Sequence, residues 1–283
     1  MGLMPGLYVV ATPIGNLGDI TLRALGVLKQ ADCVAAEDTR VSRHLLNHFG
    51  LHKEMVSVRE HNEQQAADGI IARIRAGQAV AYVTDAGTPA VSDPGARLVA
   101  AANRAKVAVV PLPGPNAAMA ALSASGQLLE HWLFYGFLPT RDEARNKALT
   151  ALRGLPYGLV FYESPHRIAA TVAEMGAVLG ADRTLTIARE LSKRFEQVHT
   201  LPLAEAQDWL AGDPNRQRGE FVLIVSGAEA EVDQDEIEHK RVLGLLLEEM
   251  PVSRAAGLAA RITGAKKNVL YELALSMAQE DPQ

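Results

Sequence analysis

The stretch VAYVTDAGTPAVSDPG, residues 80–95, constrains the fold of this chain more than any other. Its first four residues are apolar and rich in β-branched and aromatic side chains, which predicts a strand buried on both faces. The residues Asp85–Pro89 then form a turn, and a helix is predicted to follow with Ser92 or Asp93 as its N-cap and Pro94 in its first turn.

Ligands of open α/β sheets bind at the carboxyl ends of the strands. An ordinary strand-to-helix connection would explain residues 84–95 without any ligand, but such connections usually have about 2–6 residues. This one is longer and carries two aspartates, Asp85 and Asp93. We therefore expect a ligand site at this edge of the sheet.

The composition is that of a globular protein, with 48% hydrophobic and 22% charged residues among 283. The net charge of −5 provides no global basic field, so any surface for nucleic acid has to be local. The single cysteine, Cys33, excludes cysteine-based metal sites and disulfides within the chain. No apolar run is long enough to span a bilayer and the first residues lack a charged signal-peptide start, which predicts a cytoplasmic protein without membrane contact.

Strands and helices alternate along the first 125 residues, which predicts a mostly parallel N-terminal sheet. A second α/β block follows, and two of its strands, within Thr184–Thr200, have no helix between them, so its sheet should be mixed. Thr140–Glu143 has capping-box spacing for the next helix. The predicted strands are Leu7–Thr12, Val34–Glu37, Glu54–Val58, Val80–Val83, Val107–Val110, Trp132–Phe137, Leu159–Tyr162, Thr184–Ala188, Gln197–Thr200 and Phe221–Val225.

An acidic segment without periodicity, residues 227–235, is typical of a linker. Three helical segments follow it with helix-turn-helix spacing, separated by Pro251 and Gly264. We therefore predict an N-terminal α/β domain over 1–125, a second α/β domain over 126–229 and a small C-terminal helical domain over 235–283. The predicted helices of the last domain are Asp235–Met250, Ser253–Ile262 and Lys266–Met277.

Several common site motifs are absent from the sequence. There is no G-x-G-x-x-G and no G-x-x-x-x-G-K-[ST], which argues against NAD(P) and P-loop nucleotide sites. The absence of H-E-x-x-H and G-x-S-x-G argues against zinc hydrolases and serine esterases, and no metal is predicted.

Six polar loops follow strands of the two blocks, and four of them contain Gly or Pro. Each has an ordinary alternative; Asp38 and Arg40, for instance, could be a surface pair worth less than about 1 kcal/mol. Four of them end strands of the first block and two end strands of the second, so together they predict one cleft between the two blocks if the blocks face each other. The loops are Pro13–Gly18, Glu37–Arg40, Thr84–Gly95, Pro113–Asn116, Glu163–Arg167 and Arg189–Lys193.

These loops carry a family resemblance over essentially the whole chain. The motifs, in order, are ATPIGNLGDIT, AEDTR, VTDAGTPAVSDPG, LPGPNAA, FYESPHR and ARELSK. Together they resemble the tetrapyrrole methylase superfamily, the class III S-adenosylmethionine-dependent methyltransferases, and within it the branch that methylates ribosomal RNA of the small subunit. The resemblance implies a two-domain tetrapyrrole-methylase-like fold, a homodimer, and S-adenosylmethionine bound in the interdomain cleft.

The resemblance further implies an activity: 2′-O-methylation of the ribose of a decoding-centre cytidine in 16S rRNA, on the RNA or on the small ribosomal subunit. S-adenosylmethionine carries no phosphate, which agrees with the missing glycine fingerprint. By analogy with the superfamily, the cofactor-binding residues are Pro13, Asp85, Thr88, Asn116, Ala117, Tyr162, Leu191 and Glu220.

Methyl transfer from a good leaving group depends mainly on positioning, but the ribose hydroxyl still has to lose its proton. Asp38, His61, Glu163 and Glu190 are candidates for the base, and Arg40, Arg167 or Lys193 could lower the pKa of the hydroxyl. From these we take Asp38, Arg40 and Lys193 as the catalytic residues. The predicted RNA-binding residues are Arg40, His166, Arg167, Lys193, Arg194, Arg254, Lys266 and Lys267.

Two other functions remain open at this point. A tetrapyrrole C-methyltransferase on the same fold would need a broad cleft for an anionic macrocycle and would have no use for the C-terminal helices. A non-catalytic RNA-binding protein would use those helices, but it would not need so many cleft loops in the two α/β blocks.

Overall fold

The computed structural model describes residues 2–59, 62–228 and 234–280. The chain forms two compact units, Met1–Gly227 and Ala228–Gln283. The first unit contains both predicted α/β domains, so the boundary after residue 125 lies inside it, and the division there stays a prediction. His61, one of the candidate bases, lies outside the described residues, as do residues 229–233 and 281–283.

The first sheet has five parallel strands, as predicted for the N-terminal block. Its strands are β1 Gly6–Val10, β2 Cys33–Ala36, β3 Glu54–Ser57, β4 Ala79–Val83 and β5 Val109–Leu112. Their order is β3-β2-β4-β1-β5, and every residue of the central β4 is buried. Five helices connect or follow these strands: α1 Leu22–Gln30, α2 Thr39–His48, α3 Glu63–Arg75, α4 Ala96–Arg104 and α5 Ala117–Ala124.

Helices cover both faces of this sheet, which explains why its central strands are continuously apolar. On one face Val27 and Leu28 of α1 pack into a core with Val10 and Val34. On the other face the helices α3 and α4 pack over Tyr82 and its neighbours in a separate core. Because all five strands are parallel, their carboxyl ends lie at the same edge of the sheet.

The second sheet is mixed, as predicted. Its strands are β6 Trp132–Phe137, β7 Gly158–Glu163, β8 Thr184–Arg189, β9 Gln197–Pro202 and β10 Phe221–Val225. They lie in the order β6-β7-β10-β8-β9, with β6 parallel to β7 and the other pairs antiparallel. The helices α6 Asp142–Leu152, α7 Ile168–Leu179 and α8 Leu203–Ala211 complete this half of the unit.

The helix α5 joins the two sheets. Its buried residues Ala118 and Ala121 pack against Val160 of β7 and Ile224 of β10, and the four share one apolar core. Small side chains on α5 allow this close approach. The second sheet is thereby held against the last helix of the first half, and a cavity opens beside α5.

Three local predictions are wrong, and one helix was not predicted. The strand predicted at Val107–Val110 lies two residues later, because the amide of Val107 still bonds to Ala102 at the end of α4. The edge position of β5 tolerates Pro111, which cannot donate to a further strand. The helix α8 was not predicted, since its N-cap is Pro202, whose side chain accepts no hydrogen bond.

The two other errors concern helix starts. Neither Ser92 nor Asp93 caps α4, which begins at Ala96 after Gly95; the capping acceptor is the carboxylate of Glu63 on α3. Thr140 forms no capping box, because α6 starts after Arg141 without a side-chain cap.

The described part of the second unit contains three helices close to those predicted: α9 Gln234–Leu247, α10 Val252–Thr263 and α11 Lys267–Glu280. Leu243, Ala256, Ala259 and Leu270 form its buried core. Gly264 ends α10 in the left-handed conformation, with φ of 76°. Across the described ranges, we find no helix with the length and apolar character needed to cross a membrane.

Candidate functional site

A cavity of about 330 Å³ lies between the two sheets of the first unit. Its size falls within the usual range of small-molecule sites, about 300–1,000 Å³. Loops at the carboxyl edge of the first sheet form one wall, and the second sheet with its loops forms the other. The lining residues are Ile14, Ala86, Gly87, Thr88, Val91, Ser92, Asp93, Asn116, Ala117, Phe137, Tyr162, Glu163, Ser164, Pro165, Ala188, Leu191, Lys193, Glu220, Phe221 and Val222.

The loops of the first wall are tied to one another by hydrogen bonds. Thr12 and Gly87 exchange two backbone hydrogen bonds, at 2.8 and 3.0 Å, so the loops after β1 and β4 lie side by side. The Thr88 hydroxyl donates to the Pro115 carbonyl at 3.0 Å, which fixes the loop after β5. These bonds join the loops after β1, β4 and β5 into one wall.

Two cavity loops contain non-glycine residues with left-handed backbone. Ala90 and Ser92, after β4, have φ of 67° and 61°, and Glu190 and Ser192, after β8, have φ of 51° and 68°. Such conformations cost about 1–3 kcal/mol each and are concentrated at functional sites. Their occurrence on both sides of one cavity supports its assignment as the functional site.

Lys193 is held at the cavity by two carboxylates. Its Nζ lies 2.8 Å from Glu190 Oε1 and 2.7 Å from Glu220 Oε2. Burial opposes ionisation of Glu190, but hydrogen bonds from Lys193 and from the Glu220 amide hold the pKa of Glu190 below its usual value. Glu190 is therefore a poor proton acceptor, and the Lys193 charge is already compensated.

Glu163 also lines the cavity, and structural contacts occupy its carboxylate. It accepts hydrogen bonds from the Ser164 amide and the Thr171 hydroxyl, both at 2.7 Å. Arg167 forms an ion pair with it at 3.3 Å. These contacts fix the start of α7 and occupy the Glu163 carboxylate.

Asp93 is a lining carboxylate with a different environment. Burial and the negative charge of Glu37 raise the pKa of Asp93 to about 6, against a smaller opposing effect of the Thr84 hydroxyl. Within the described part of the chain, Asp93 has no Lys or Arg at ion-pair distance. The sequence predicted Asp93 as a candidate N-cap of the next helix, whereas the structure places it in the cavity wall.

The predicted cofactor residues fall into two groups. Two of them are not part of the lining: Pro13 is buried beside Ile14, and Asp85 is exposed, its Oδ1 accepting from the Asp38 amide at 3.1 Å. A role for either in binding stays a prediction. The structure brings the other six together in the cavity lining: Thr88, Asn116, Ala117, Tyr162, Leu191 and Glu220.

Of the three predicted catalytic residues, Lys193 lines the cavity, whereas Asp38 and Arg40 do not. Asp38 and Arg40 form an ion pair at 2.5 Å, with the Arg40 side chain 83% exposed. Hydrogen bonds from the Arg40 guanidinium and amide hold the pKa of Asp38 well below its usual value. Asp38 is thus a weak base outside the cavity wall.

The predicted RNA-binding residues also separate. Lys193 and Arg167 are engaged inside the first unit, since Arg167 donates to the carbonyls of Leu138 and Pro139. The others are exposed: Arg40, His166, Arg194, Arg254, Lys266 and Lys267.

The cavity fits S-adenosylmethionine in its chemistry. Its wall combines apolar side chains such as Ile14, Leu191 and Val222 with carboxylates and the Asn116 amide, which suits an adenine attached to a charged amino acid chain. Sequence reasoning missed Phe137, whose position at the end of β6 was a usable signal. No group of three or more His, Cys, Asp or Glu within the described residues could hold a metal ion.

Solved structures confirm the fold. One is the X-ray structure of a cobalamin biosynthetic enzyme, cobalt precorrin-4 methyltransferase, with a TM-score of 0.58 and 18% identity, covering 78% of this chain and 94% of that one. Another is the uroporphyrin-III C-methyl transferase from Thermus thermophilus complexed with S-adenyl homocysteine, with a TM-score of 0.54 and 20% identity, covering 78% and 97%.

Family models and relatives match the sequence itself. Residues 6–207 match the Tetrapyrrole (Corrin/Porphyrin) Methylases, and residues 233–278 match the RsmI C-terminal HTH domain. The ribosomal RNA small subunit methyltransferase I of Pseudomonas aeruginosa is 49% identical, covering 95% of this chain and 96% of the relative. The protein of the same name from Vibrio cholerae is 47% identical, covering 96% and 94%. The chain therefore belongs to the ribosomal RNA small subunit methyltransferase I family, within the tetrapyrrole methylases.

Proposed function

We propose that this chain transfers a methyl group from S-adenosylmethionine to the ribose 2′-hydroxyl of a decoding-centre cytidine in 16S rRNA. Its family makes it an S-adenosylmethionine-dependent methyltransferase. The observation that carries the proposal is the cavity between the sheets, where six residues expected from the family meet. The substrate is proposed from the names of the relatives and from the basic surface of the second unit.

The cofactor would be held by the lining residues. Thr88, Asn116 and Tyr162 offer polar atoms, whereas Leu191 and Ala117 offer apolar surface for the adenine. S-adenosylmethionine supplies a methyl group on a sulfonium, whose positive charge a carboxylate such as Glu220 can stabilise.

The position of the cofactor can be tested on α5. Ala117 lines the cavity, whereas Met119 on the same helix is 45% exposed. Ala117→Leu adds volume inside the cavity and should weaken S-adenosylmethionine binding at least about tenfold by calorimetric titration, while Met119→Leu should leave it unchanged. Equal affinities in the two folded variants would place the cofactor elsewhere.

The second unit supplies a basic surface suited to RNA phosphates. Between Val252 and Tyr271 the chain has four basic residues and no acidic one, although its net charge is −5. All four are exposed, which leaves them available for phosphate oxygens. They are Arg254, Arg261, Lys266 and Lys267.

We further propose that the substrate is 16S rRNA within, or destined for, the small ribosomal subunit, and that the protein acts in the cytoplasm. The target ribose would be single-stranded or splayed out, because a ribose inside a duplex could not reach a cavity between two sheets.

We also propose a homodimer, as the family resemblance implies. Support comes from the edge strand β6, where Trp132 and Tyr135 are 41% and 37% exposed. Exposed aromatic side chains on a sheet edge are typical of an interface. Sedimentation velocity should give a mass of two chains, and a monomer at micromolar concentration would contradict the proposal.

Nucleoside mass spectrometry tests the substrate. We expect 16S rRNA from a strain lacking this gene to lose one 2′-O-methylcytidine, and plasmid-borne protein to restore it. Intact methylation in that strain, without a second enzyme to account for it, would rule out this substrate even if cofactor binding were established.

A further inference from the structure

We propose that the Asp93 carboxylate is the proton acceptor for the ribose 2′-hydroxyl. This inference rests on the proposed function, because it assigns a residue to the same reaction. Asp93 was not among the candidate bases of the sequence analysis, and its assignment comes from its position in the cavity wall.

The loop that carries Asp93 is shaped to present it to the cavity. Ser92, directly before it, has φ of 61°, and Gly95, after it, has φ of 123°. The Ala90 amide bonds to the Pro94 carbonyl at 3.1 Å and closes the loop around these residues. Both Ser92 and Asp93 line the cavity.

The loop also packs against both sheets. An ideal Cβ at Gly95 would lie 2.4 Å from Cε1 of Tyr82, so the backbone rests directly on that buried ring. An ideal Cβ built on Gly136 of β6 would lie 2.7 Å from Ser92 Oγ, so the loop also packs against the second sheet. A carboxylate held between the two walls is well placed to meet a substrate that enters between them.

The other lining carboxylates are already occupied. Glu163 is bonded to Ser164, Thr171 and Arg167, and Glu220 is paired with Lys193 at 2.7 Å. Asp93 completes the set of three carboxylates in the lining, and within the described residues it has no cationic partner. Proton transfer needs an acceptor that is free to form a new hydrogen bond, which favours Asp93.

The charges around Asp93 keep it receptive to a proton. Glu37 and Asp85 face it with negative charge, and the pKa of Asp93 is raised to about 6, first by burial and then by Glu37. Burial also raises the pKa of Tyr162, and the Asp93 charge adds to that rise, so the two cavity side chains are electrostatically coupled. The hydroxyls of Tyr82 and Thr84, and the carboxylate of Glu163, complete the titratable and polar groups nearby.

The reaction balances with Asp93 in this role. The 2′-oxygen forms a bond to the methyl carbon while the carbon–sulfur bond breaks and its electron pair stays on sulfur. The hydroxyl proton moves to the Asp93 carboxylate and then to solvent. Sulfonium and carboxylate charges are both neutralised in the step, which a partly buried site favours.

Asp93→Asn tests the role, with Asp68→Asn as the matched control. Asp68 is exposed on α3 outside the cavity lining, and its replacement removes the same charge. With saturating S-adenosylmethionine and small subunits from a strain lacking this gene, we expect Asp93→Asn to slow single-turnover methylation about 10²–10⁴-fold, while the cofactor Kd changes less than about threefold. Asp68→Asn should match the wild type in both.

Two measurements distinguish this role from a structural one. The wild-type rate should rise with pH through about 6, and Asp93→Asn should lack that rise. Carboxyl ¹³C NMR of the free protein should show one resonance titrating near pH 6 that the variant lacks.

Three outcomes would overturn the inference: an unchanged rate, a rate restored by more cofactor, or an Asp93 resonance that titrates at the ordinary value of about 3.9. If the wild type itself places no methyl group on RNA, the proposed function fails, and that result is separate from all three.

Discussion

The carboxylate of Glu63 accepts a hydrogen bond from the Leu98 amide at 2.9 Å, and so caps a helix that begins more than 30 residues later in the chain. Glu63 is 4% exposed and also accepts from the Gly95 amide at 3.2 Å. The cap of α4 therefore comes from α3. This leaves Asp93 free to face the cavity.

Glu63→Ala should lower the free energy of unfolding by about 1–3 kcal/mol, because two buried amides lose their acceptor. Glu63→Gln keeps an acceptor oxygen and should cost less. Urea denaturation measures both, with Gln65→Ala at an exposed position of the same helix as control. If Glu63→Ala is no less stable than this control, Glu63 does not cap α4.

The architecture could be predicted because it depends on local patterns. Buried apolar runs such as 221–225 identify strands, and Trp132–Phe137 and Phe221–Val225 have the predicted bounds. The missing helix between β8 and β9 was visible in the chain and gave the mixed sheet.

The details of the site could not be predicted, since they depend on contacts between distant segments. Ser92 and Asp93 have the residue types of an N-cap, and only the position of Glu63 shows that they are not needed for it. The sequence predicted that Lys193 binds RNA or takes part in catalysis, but it could not show that Glu190 and Glu220 lie beside its ammonium group.

Gly95 should tolerate no side chain. Gly95→Ala meets both a φ of 123° and the Tyr82 ring, whereas Gly77→Ala meets a φ of 96° with open space around it. We expect Gly77→Ala to cost about 1–3 kcal/mol of stability from the backbone alone. Gly95→Ala should cost roughly 1–3 kcal/mol more from overpacking. Thermal unfolding of the pair measures the difference, and equal losses would contradict the contact with Tyr82.

The ionised Asp93 carboxylate should lower the free energy of unfolding at neutral pH. Its pKa of about 6 in the folded protein exceeds the ordinary value of about 3.9. The protonated carboxyl therefore makes its whole contribution to the free energy of unfolding below about pH 4, and this contribution is lost as the pH rises through about 6.

Asp93→Asn does not ionise, so above pH 7 it should be more stable than the wild type by roughly 1–2 kcal/mol after solvent screening. Below about pH 4 the difference should vanish. Denaturation curves at pH 4 and pH 8 test this: a variant that is less stable than the wild type at pH 8 would contradict a partly buried Asp93 without a cationic partner.

The salt dependence of RNA binding should show which basic residues contact phosphates. If Lys266 and Lys267 contact phosphates, changing either to Ala should reduce the slope of log K against log salt for RNA binding by about 1. Lys193→Ala should leave the slope unchanged, because two carboxylates already compensate its charge. Fluorescence anisotropy with a labelled 16S fragment gives these slopes. A slope that falls only in Lys193→Ala would place the RNA contact at the cavity.

The most direct test of the central claim is methyl transfer by the purified protein from labelled S-adenosylmethionine, with small ribosomal subunits lacking the modification in one reaction and uroporphyrinogen in the other. The account predicts label in 16S rRNA, recovered as 2′-O-methylcytidine at about one per subunit, and none in the macrocycle. Label in the macrocycle, or none in the RNA, would contradict it.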